Sequence, residues 1–390
     1  MTRPADSPGP RVTWVGVHLD PLRRTPDELL AGPWRGFGRT AAAARRAGAR
    51  VAIVQAAWED AERDIDGVLC HFVRERGRPA VQLPGGRLVR RRPRRLLERV
   101  AASTPDLVHF EGLLFPRALR ALSAALPRVP ILAQDHATKC PRGWRRWWLR
   151  WGFAPLAGVA FTARAQAEPF FQARVLRPDL PVFEVVEVSS RFTPGDQRRA
   201  RAATGLEGDP CLLWVGNLDV NKDPLTVLEA VSRAAPDLPN LRLYMCFQQA
   251  PLLHTVQAGI AGDAALAGRV RLLGKVAYPA IEAHFRSADF LISASHAEGS
   301  GAAVIEALAC GTTPLLTDIP SSRRITGQGE FGALVPVGDA SALARAIRDW
   351  SSRDRGGLRQ RGRNHFEHEL SFDAIGEQLR IAYDALWRSH

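Results

Sequence analysis

Two glutamates, Glu298 and Glu306, stand eight positions apart in the stretch S-A-S-H-A-E-G-S-G-A-A-V-I-E-A-L-A-C-G, residues 293–311. The apolar run Ala288 to Ser293 ahead of them reads as a strand. Gly299-Ser300-Gly301 reads as a turn, and Ala302 to Ala309 carries good helix formers up to a stop at Gly311. A strand feeding a glycine turn that opens a helix presents bare backbone N–H groups and a positive dipole end, which is the chemistry of phosphate binding. Glu306 falls about one and a half turns into that helix, roughly 8–9 Å along the axis at ~1.5 Å per residue. One carboxylate therefore precedes the anion cradle and the other lies beyond it. An elongated ligand with hydroxyls at both ends and phosphates between, a nucleotide sugar, would fit. Glu-Gly turns also open helices that bind nothing, so this stretch alone leaves a plain structural turn open.

The elements that position such a site need room, and 390 residues suffice for two domains with their own cores. The apolar fraction of 46% is ordinary for a globular protein. No run of eighteen uncharged apolar residues is present, so no bilayer span is expected. Met1 to Pro10 lacks an apolar h-region, so no signal peptide is expected. Cys70, Cys140, Cys211, Cys246 and Cys310 are odd in number and never in C-x-x-C spacing, which argues against a metal or disulfide framework and for a reducing cytoplasm. The net charge is +13 with only three lysines, Lys139, Lys222 and Lys275. Arginine carries the rest, clustered at Arg87 to Arg99 and at Arg142 to Arg150, and such clusters attract anions.

Along the chain, Arg11 to Val17 reads as a buried strand. A polar loop of some twenty residues follows, ending at Gly36-Phe37-Gly38-Arg39; then come a helix over Thr40 to Ala47 and a strand over Arg50 to Gln55. This is a doubly wound unit, although its G-x-G lacks the third glycine of a dinucleotide site. Further strands are predicted at Gly67 to Val73, Asp106 to Phe110, Val129 to Gln134, Gly158 to Thr162 and Val182 to Val188. A charged segment around Arg191 to Asp209 marks a boundary. A second series follows at Cys211 to Val215, Leu241 to Cys246, Val270 to Leu273, Phe290 to Ser293, Thr313 to Leu316 and Ala333 to Val335. Ser371 to Trp387 closes the chain as an amphipathic helix. The fold class is α/β with two Rossmann-like units, residues 1–192 and 193–370, and a last helix over 371–390. Asp64-Ile65-Asp66 follows a helix-like run, Asp60 to Arg63, and reads as a surface pair rather than a metal site.

Four segments then fall in one order. Trp214 to Pro224 reads W-V-G-N-L-D-V-N-K-D-P and residues 270–276 read V-R-L-L-G-K-V. The pair Glu298 and Glu306 sits in an E-G-x-G-x-x-x-x-E-A-x-A-x-G frame, and residues 333–339 read A-L-V-P-V-G-D. In this the chain resembles the retaining, GT-B-fold glycosyltransferases of glycosyltransferase family 4. The likeness is carried by roughly 150 residues of the second half. The first half matches loosely, at Gly36-Phe37-Gly38, R-A-G-A-R-V, D-L-V-H-F-E-G (106–112) and V-P-I-L-A-Q-D-H (129–136).

The resemblance implies transfer of a sugar from a UDP- or GDP-type donor with retention of configuration, in a GT-B fold whose last helix crosses back to the first domain. Lys222 would neutralise the departing diphosphate, against its plain reading as a solvated lysine. Glu306 would accept both ribose hydroxyls. Glu298 would contact sugar hydroxyls or stabilise charge on the reacting sugar. Gly216 would let the backbone approach the diphosphate. The amides of Gly299, Ser300 and Gly301 would hold sugar or phosphate, and those of Gly274, Lys275 and Val276 the base edge. His136 aligns with a histidine that faces the donor sugar, with His109 and Glu111 behind it or on the acceptor side. Where the family carries a partner arginine this chain has Asn217, an amide that donates hydrogen bonds but brings no charge. Arg39, beside Gly36 and Gly38, is the candidate substitute. No metal is required, because Lys222 and the helix dipole supply the positive charge. The acceptor is a glycan, a lipid-linked sugar or a small molecule. A nucleotide-sugar epimerase or hydrolase of the same fold stays open, as does a non-catalytic nucleotide-binding scaffold, which Asn217 favours.

Trp144, Trp147, Trp148 and Trp151 recur at i, i+3, i+4, i+7 among Arg142, Arg145, Arg146 and Arg150. The leading reading is an ordinary core-facing helix with an arginine-rich outer side. The other is an interfacial helix on anionic lipid, which would put the protein at the inner face of the membrane. Nucleic acid is not expected, since no recognition module accompanies the charge.

Overall fold

The computed structural model describes residues 9–32, 35–76 and 93–389. The start of the first arginine cluster, Arg87 to Arg92, lies outside the described residues, as does most of the Met1 to Pro10 segment. The chain divides into two compact units. One takes the residues up to Val188 together with those from Phe372 on, and the other is Ser189–Ser371.

The first unit is built on eight strands: β1 Arg11–Gly16, β2 Arg50–Ala57, β3 Ala61–Ile65, β4 Val68–Arg74, β5 Leu107–Glu111, β6 Ile131–Gln134, β7 Gly158–Phe161 and β8 Val182–Glu184. Their order is β3-β4-β2-β1-β5-β6-β7-β8. All neighbours are parallel except β3, which runs antiparallel to β4. The central strands are largely buried because helices cover both faces. Val15, Val54, Val108, Phe110, Ala133 and Val159 form the core with side chains from the covering helices.

Three local expectations are corrected here. Gly36, Gly38 and Arg39 belong to the helix Arg35–Arg46, not to a loop. Two glycines cost a helix about 1 kcal/mol each, but a Cβ at Gly38 would stand 2.6 Å from Ile65 Cγ2, so close packing on β3 requires the glycine. The helix-like run at Asp60 to Arg63 leads into and forms part of strand β3. The Asp66-Gly67 turn behind it has φ of 51° and 83°, the double left-handed turn that suits a tight hairpin. Asp64 accepts the Gly67 N–H at 2.8 Å, which gives this acid a turn role. The polar loop before residue 36 also holds a short helix, Pro26–Ala31, closed by a Thr25–Glu28 capping box.

The Phe372–Arg388 helix packs in the first unit against Arg35–Arg46, so closely that a Cβ on Gly376 would lie 2.5 Å from Ala43 O. Its Ile375, Leu379 and Leu386 are buried, each worth about 1.5–3 kcal/mol.

The second unit is a six-stranded parallel sheet: β9 Cys211–Val215, β10 Arg242–Cys246, β11 Val270–Gly274, β12 Phe290–Ser293, β13 Thr313–Thr317 and β14 Ala333–Val335. The order β11-β10-β9-β12-β13-β14 is that of a Rossmann sheet. Leu212, Leu243, Ile292 and Leu315 are fully buried between helix layers. Buried Asp289, just before β12, ties the sheet's edge of entry: its carboxylate pairs with Arg201 at 2.9 Å and accepts the Cys211 N–H at 2.8 Å.

Candidate functional site

In the second sheet the strand order runs one way from β9 to β11 and the other way from β12 to β14. Ligands of open parallel sheets bind beyond the strands' carboxyl ends at such a reversal. The residues that follow β9 are Gly216 to Asp223, and those that follow β12 are Ala294 to Gly301. Most of the residues singled out in the second half therefore converge at one place.

The two loops are stitched together. Lys222 Nζ donates to Glu298 Oε1, both side chains lying largely out of solvent. The Lys222 N–H donates to Asp219 Oδ1 at 2.9 Å. The His296 N–H donates to Asn221 O at 2.8 Å, and Asn221 Nδ2 donates to Ala297 O at 3.0 Å. His296 Nε2 meets Asp223 Oδ2 at 2.9 Å. Asp223 also caps the helix Pro224–Ala234, taking the Thr226 N–H at 3.2 Å. Its own φ of 42° is left-handed, uncommon for a residue with a side chain. Burial pushes the Asp223 carboxyl up, but the hydrogen bonds from His296 and Thr226 hold it below its ordinary value.

Asn221, Asp223 and His296 were not singled out by sequence reasoning. The Asp223-Pro224 pair is a helix-start signal that could have marked one of them.

Gly216 lies where β9 ends. A Cβ there would stand 3.3 Å from the buried Trp214 ring and 3.5 Å from Lys222 Cδ, so the backbone runs tight beside the lysine's stem. Asn217 takes a structural bond, its Oδ1 accepting the Gln249 N–H at 3.3 Å. Gly301, with φ of 63°, is the N-cap of the helix Ala302–Ala309 and offers no side chain to cap it. Ser300 is buried beside it, Gly299 is half-buried, and Glu306 is half-buried on the helix. Gly274 ends β11 with φ of 67°, and its carbonyl accepts the Phe247 N–H at 2.9 Å. Lys275 is exposed and Val276 half-buried after it.

The first unit places His136 just past β6. Its Nε2 meets Glu111 Oε2 at 2.5 Å and its Nδ1 meets Glu187. Burial opposes a charge on the ring, yet Glu111 and the hydrogen bonds to both carboxylates outweigh it and raise the pKa well above the usual 6.5. A carboxylate at each ring nitrogen favours the charged ring, which donates on both sides. Burial likewise raises Glu111, but the neighbouring His136 and His109 leave it below its ordinary value.

Behind Glu111, His109 is fully buried, and burial lowers its pKa to about 4. Trp14 Nε1 can only donate, and it donates to Tyr383 Oη at 2.9 Å. Tyr383 Oη meets His109 Nδ1 at 2.7 Å. The other ring nitrogen, His109 Nε2, is the buried side-chain atom that lacks a hydrogen-bond partner among the described residues. Glu111 Oε1 lies 3.5 Å from it. Glu187, Tyr383 and Trp14 carry no motif that sequence reasoning could have used. Arg39 is half-buried on its helix, not in a glycine loop.

Among the described residues no group of His, Cys, Asp and Glu is arranged to hold a metal ion, and no helix is long and apolar enough to cross a membrane.

Residues 196–365 match the family described as glycosyl transferases group 1. A D-inositol 3-phosphate glycosyltransferase of Geodermatophilus obscurus is 32% identical over 203 residues, 50% of this chain and 45% of that one. A GDP-mannose:cellobiosyl-diphosphopolyprenol alpha-mannosyltransferase of Xanthomonas campestris is 25% identical over 257 residues, 63% of this chain and 65% of that one. The chain thus spans less than two thirds of either relative. Among solved structures, Anabaena HepE in complex with UDP and glucose has a TM-score of 0.66 at 16% identity, over 96% of this chain and 100% of that chain. That likeness extends the shared GT-B-class fold to the first unit. The likeness to the group 1 glycosyltransferases is carried by residues 196–365, within the second unit.

Proposed function

We propose that this protein transfers a sugar from a nucleoside-diphosphate sugar to an acceptor hydroxyl with retention of anomeric configuration. The observation that carries the reading is the Lys222–Glu298 pair at the strand-order reversal, with a helix N-terminus whose N-cap is Gly301 beside it. A donor diphosphate would take over Lys222 Nζ, which neutralises the charge that grows on the leaving phosphate. Glu298, released, would turn to the sugar hydroxyls, and Glu306 would take the ribose hydroxyls. The acceptor oxygen attacks the anomeric carbon on the face from which the phosphate leaves, and the departing phosphate takes the acceptor's proton.

The reading assigns no metal, because Lys222 and the helix N-terminus carry the positive charge. One relative is named for GDP-mannose and one solved neighbour holds UDP, so a UDP- or GDP-linked donor is assigned. The unpaired cysteines support a reducing, cytoplasmic setting.

Incubation with a panel of UDP- and GDP-sugars tests this. One donor is hydrolysed or transferred without added metal and in the presence of EDTA, and NMR of the product shows the donor's anomeric configuration. Glu306→Ala weakens donor binding. Turnover that Lys222→Ala leaves untouched would refute the site. Nucleotide binding with no turnover of any donor would instead mark the scaffold reading that the uncharged Asn217 favours.

A further inference from the structure

The helix Arg145–Phe153 turns its tryptophans outward, against the core-facing expectation. Its inward side is Leu149, Gly152 and Phe153, all buried, and a Cβ on Gly152 would stand 2.0 Å from Pro116 Cβ. The helix is therefore seated directly on the Pro116–Ala125 helix through its glycine. Trp144, Trp147 and Trp151 are 67%, 61% and 40% exposed. Three large rings in water within eight residues are a cost that folding alone does not explain.

Arginines surround these rings. Arg117 lies over Trp148 at 4.9 Å, Arg120 over Trp151 at 5.2 Å and Arg146 over Trp147 at 5.5 Å. Arg146, Trp147, Arg150 and Arg174, with Gln172 and Ala173, line a recess of about 180 Å³ that holds three guanidinium groups and no carboxylate. Between Asp135 and Glu168 the chain has Lys139, Arg142, Arg145, Arg146, Arg150 and Arg164 and no acid, and the Pro116–Ala125 helix has none either.

We propose that this face is a docking surface for an anionic phospholipid bilayer, with the tryptophans at the headgroup–acyl boundary and Arg146, Arg150 and Arg174 taking lipid phosphates. Exposed tryptophan beside arginine is the pairing that a membrane interface selects, an apolar ring with a polar edge next to a cation that finds phosphate. The charge is complementary to an anionic leaflet. Single-stranded nucleic acid fits less well, because Trp148 and Trp151 stack on each other at 5.0 Å and each also carries a guanidinium, which occupies the faces that bases would use. The inference stands apart from the donor reading, since none of these residues belongs to the second unit.

Flotation of the full chain with vesicles decides it. Binding is expected to phosphatidylcholine with phosphatidylglycerol in equal parts, not to phosphatidylcholine alone, and is expected to fall as salt rises. Tryptophan emission should shift to the blue on binding and be quenched by brominated acyl chains. Arg146→Gln and Arg150→Gln should each weaken binding about fivefold. Trp144→Ala with Trp147→Ala and Trp151→Ala should weaken it about tenfold or more with an unchanged thermal midpoint. Equal binding to both vesicles, no binding at low salt, or full retention in the tryptophan variant would overturn the proposal. So would tighter binding to a single-stranded oligonucleotide than to anionic vesicles. A self-association that the tryptophan variant abolishes would give the face to a second copy of the chain and overturn it too.

Discussion

In the second unit the groups at the strand ends are tied loop to loop: Lys222 to Glu298, Asn221 to Ala297 and Asp223 to His296. In the first unit they are tied through the sheet. His136 is held by Glu111 and Glu187, Glu111 lies against His109, and His109 is held by Tyr383 from the last helix, 274 positions away. One constellation is built from two neighbouring loops; the other is a chain that runs from half-exposed His136 through Glu111 to the buried His109 and Tyr383. The difference teaches where each should be vulnerable. Removing a loop group should cost function and leave the fold, whereas removing a link of the buried chain should cost the fold itself.

The largest expected effect tests the first half of that contrast. Lys222→Ala should lower kcat/KM on the donor about 100- to 1,000-fold, with a urea midpoint close to wild type. A matching loss of stability would erase the distinction.

Glu111→Ala comes next, on stability. Breaking a fully buried pair costs about 3–5 kcal/mol. His136 is 42% exposed, so screening reduces the expected loss to about 2 kcal/mol. Tyr383→Phe strands Trp14 Nε1 and His109 Nδ1 without their partner, for a loss of about 1–2 kcal/mol in urea unfolding. Asp223→Ala removes the cap of Pro224–Ala234 and should cost about 1 kcal/mol, together with reduced turnover because the Lys222 loop loses its tie to His296.

The smallest effect sharpens the comparison through pH. The folded pKa of His136 lies above 6.5, so its contribution is complete below that value and fades as pH rises through the raised pKa. Glu111 is depressed below 4.5, so its contribution is complete above that value and is lost as pH falls through the depressed pKa. The stability difference between wild type and His136→Gln should therefore be widest between these two values and shrink on both sides. A flat difference would show that the pair does not hold the first unit.

The second unit was largely legible from the chain. Cys211 to Val215, Phe290 to Ser293 and Ala333 to Val335 form strands with the expected bounds. Each is a short apolar run between glycine or polar turns, a property of neighbouring residues. The strand that leads into the 293–311 stretch, its glycine turn and its helix likewise form as expected, and the structure adds that Gly301 is left-handed. The first unit was legible in its strand alternation and not in its details. Gly36 and Gly38 looked like a loop because helix propensity is local, while the reason for Gly38 is Ile65 on another element. Asp60 to Arg63 looked helical because a charged edge strand has no apolar alternation to reveal it.

The roles beyond the motif followed the same division. Sequence could point to His136, but not to its charge, because Glu187 and Glu111 reach it only through the sheet.

The amino-acid order by itself determined two alternating α/β series, the strand–glycine–helix turn that carries Glu298 and Glu306, and the position of Lys222 after a strand, because periodicity and turn chemistry act over a few residues. Tertiary structure alone decided that Lys222 and Glu298 touch, that Tyr383 backs His109, and that Trp144, Trp147 and Trp151 face water. Four tryptophans at helical spacing make a stripe that suits a core or a surface equally. The choice fell to Gly152, whose missing side chain lets the opposite face close on Pro116.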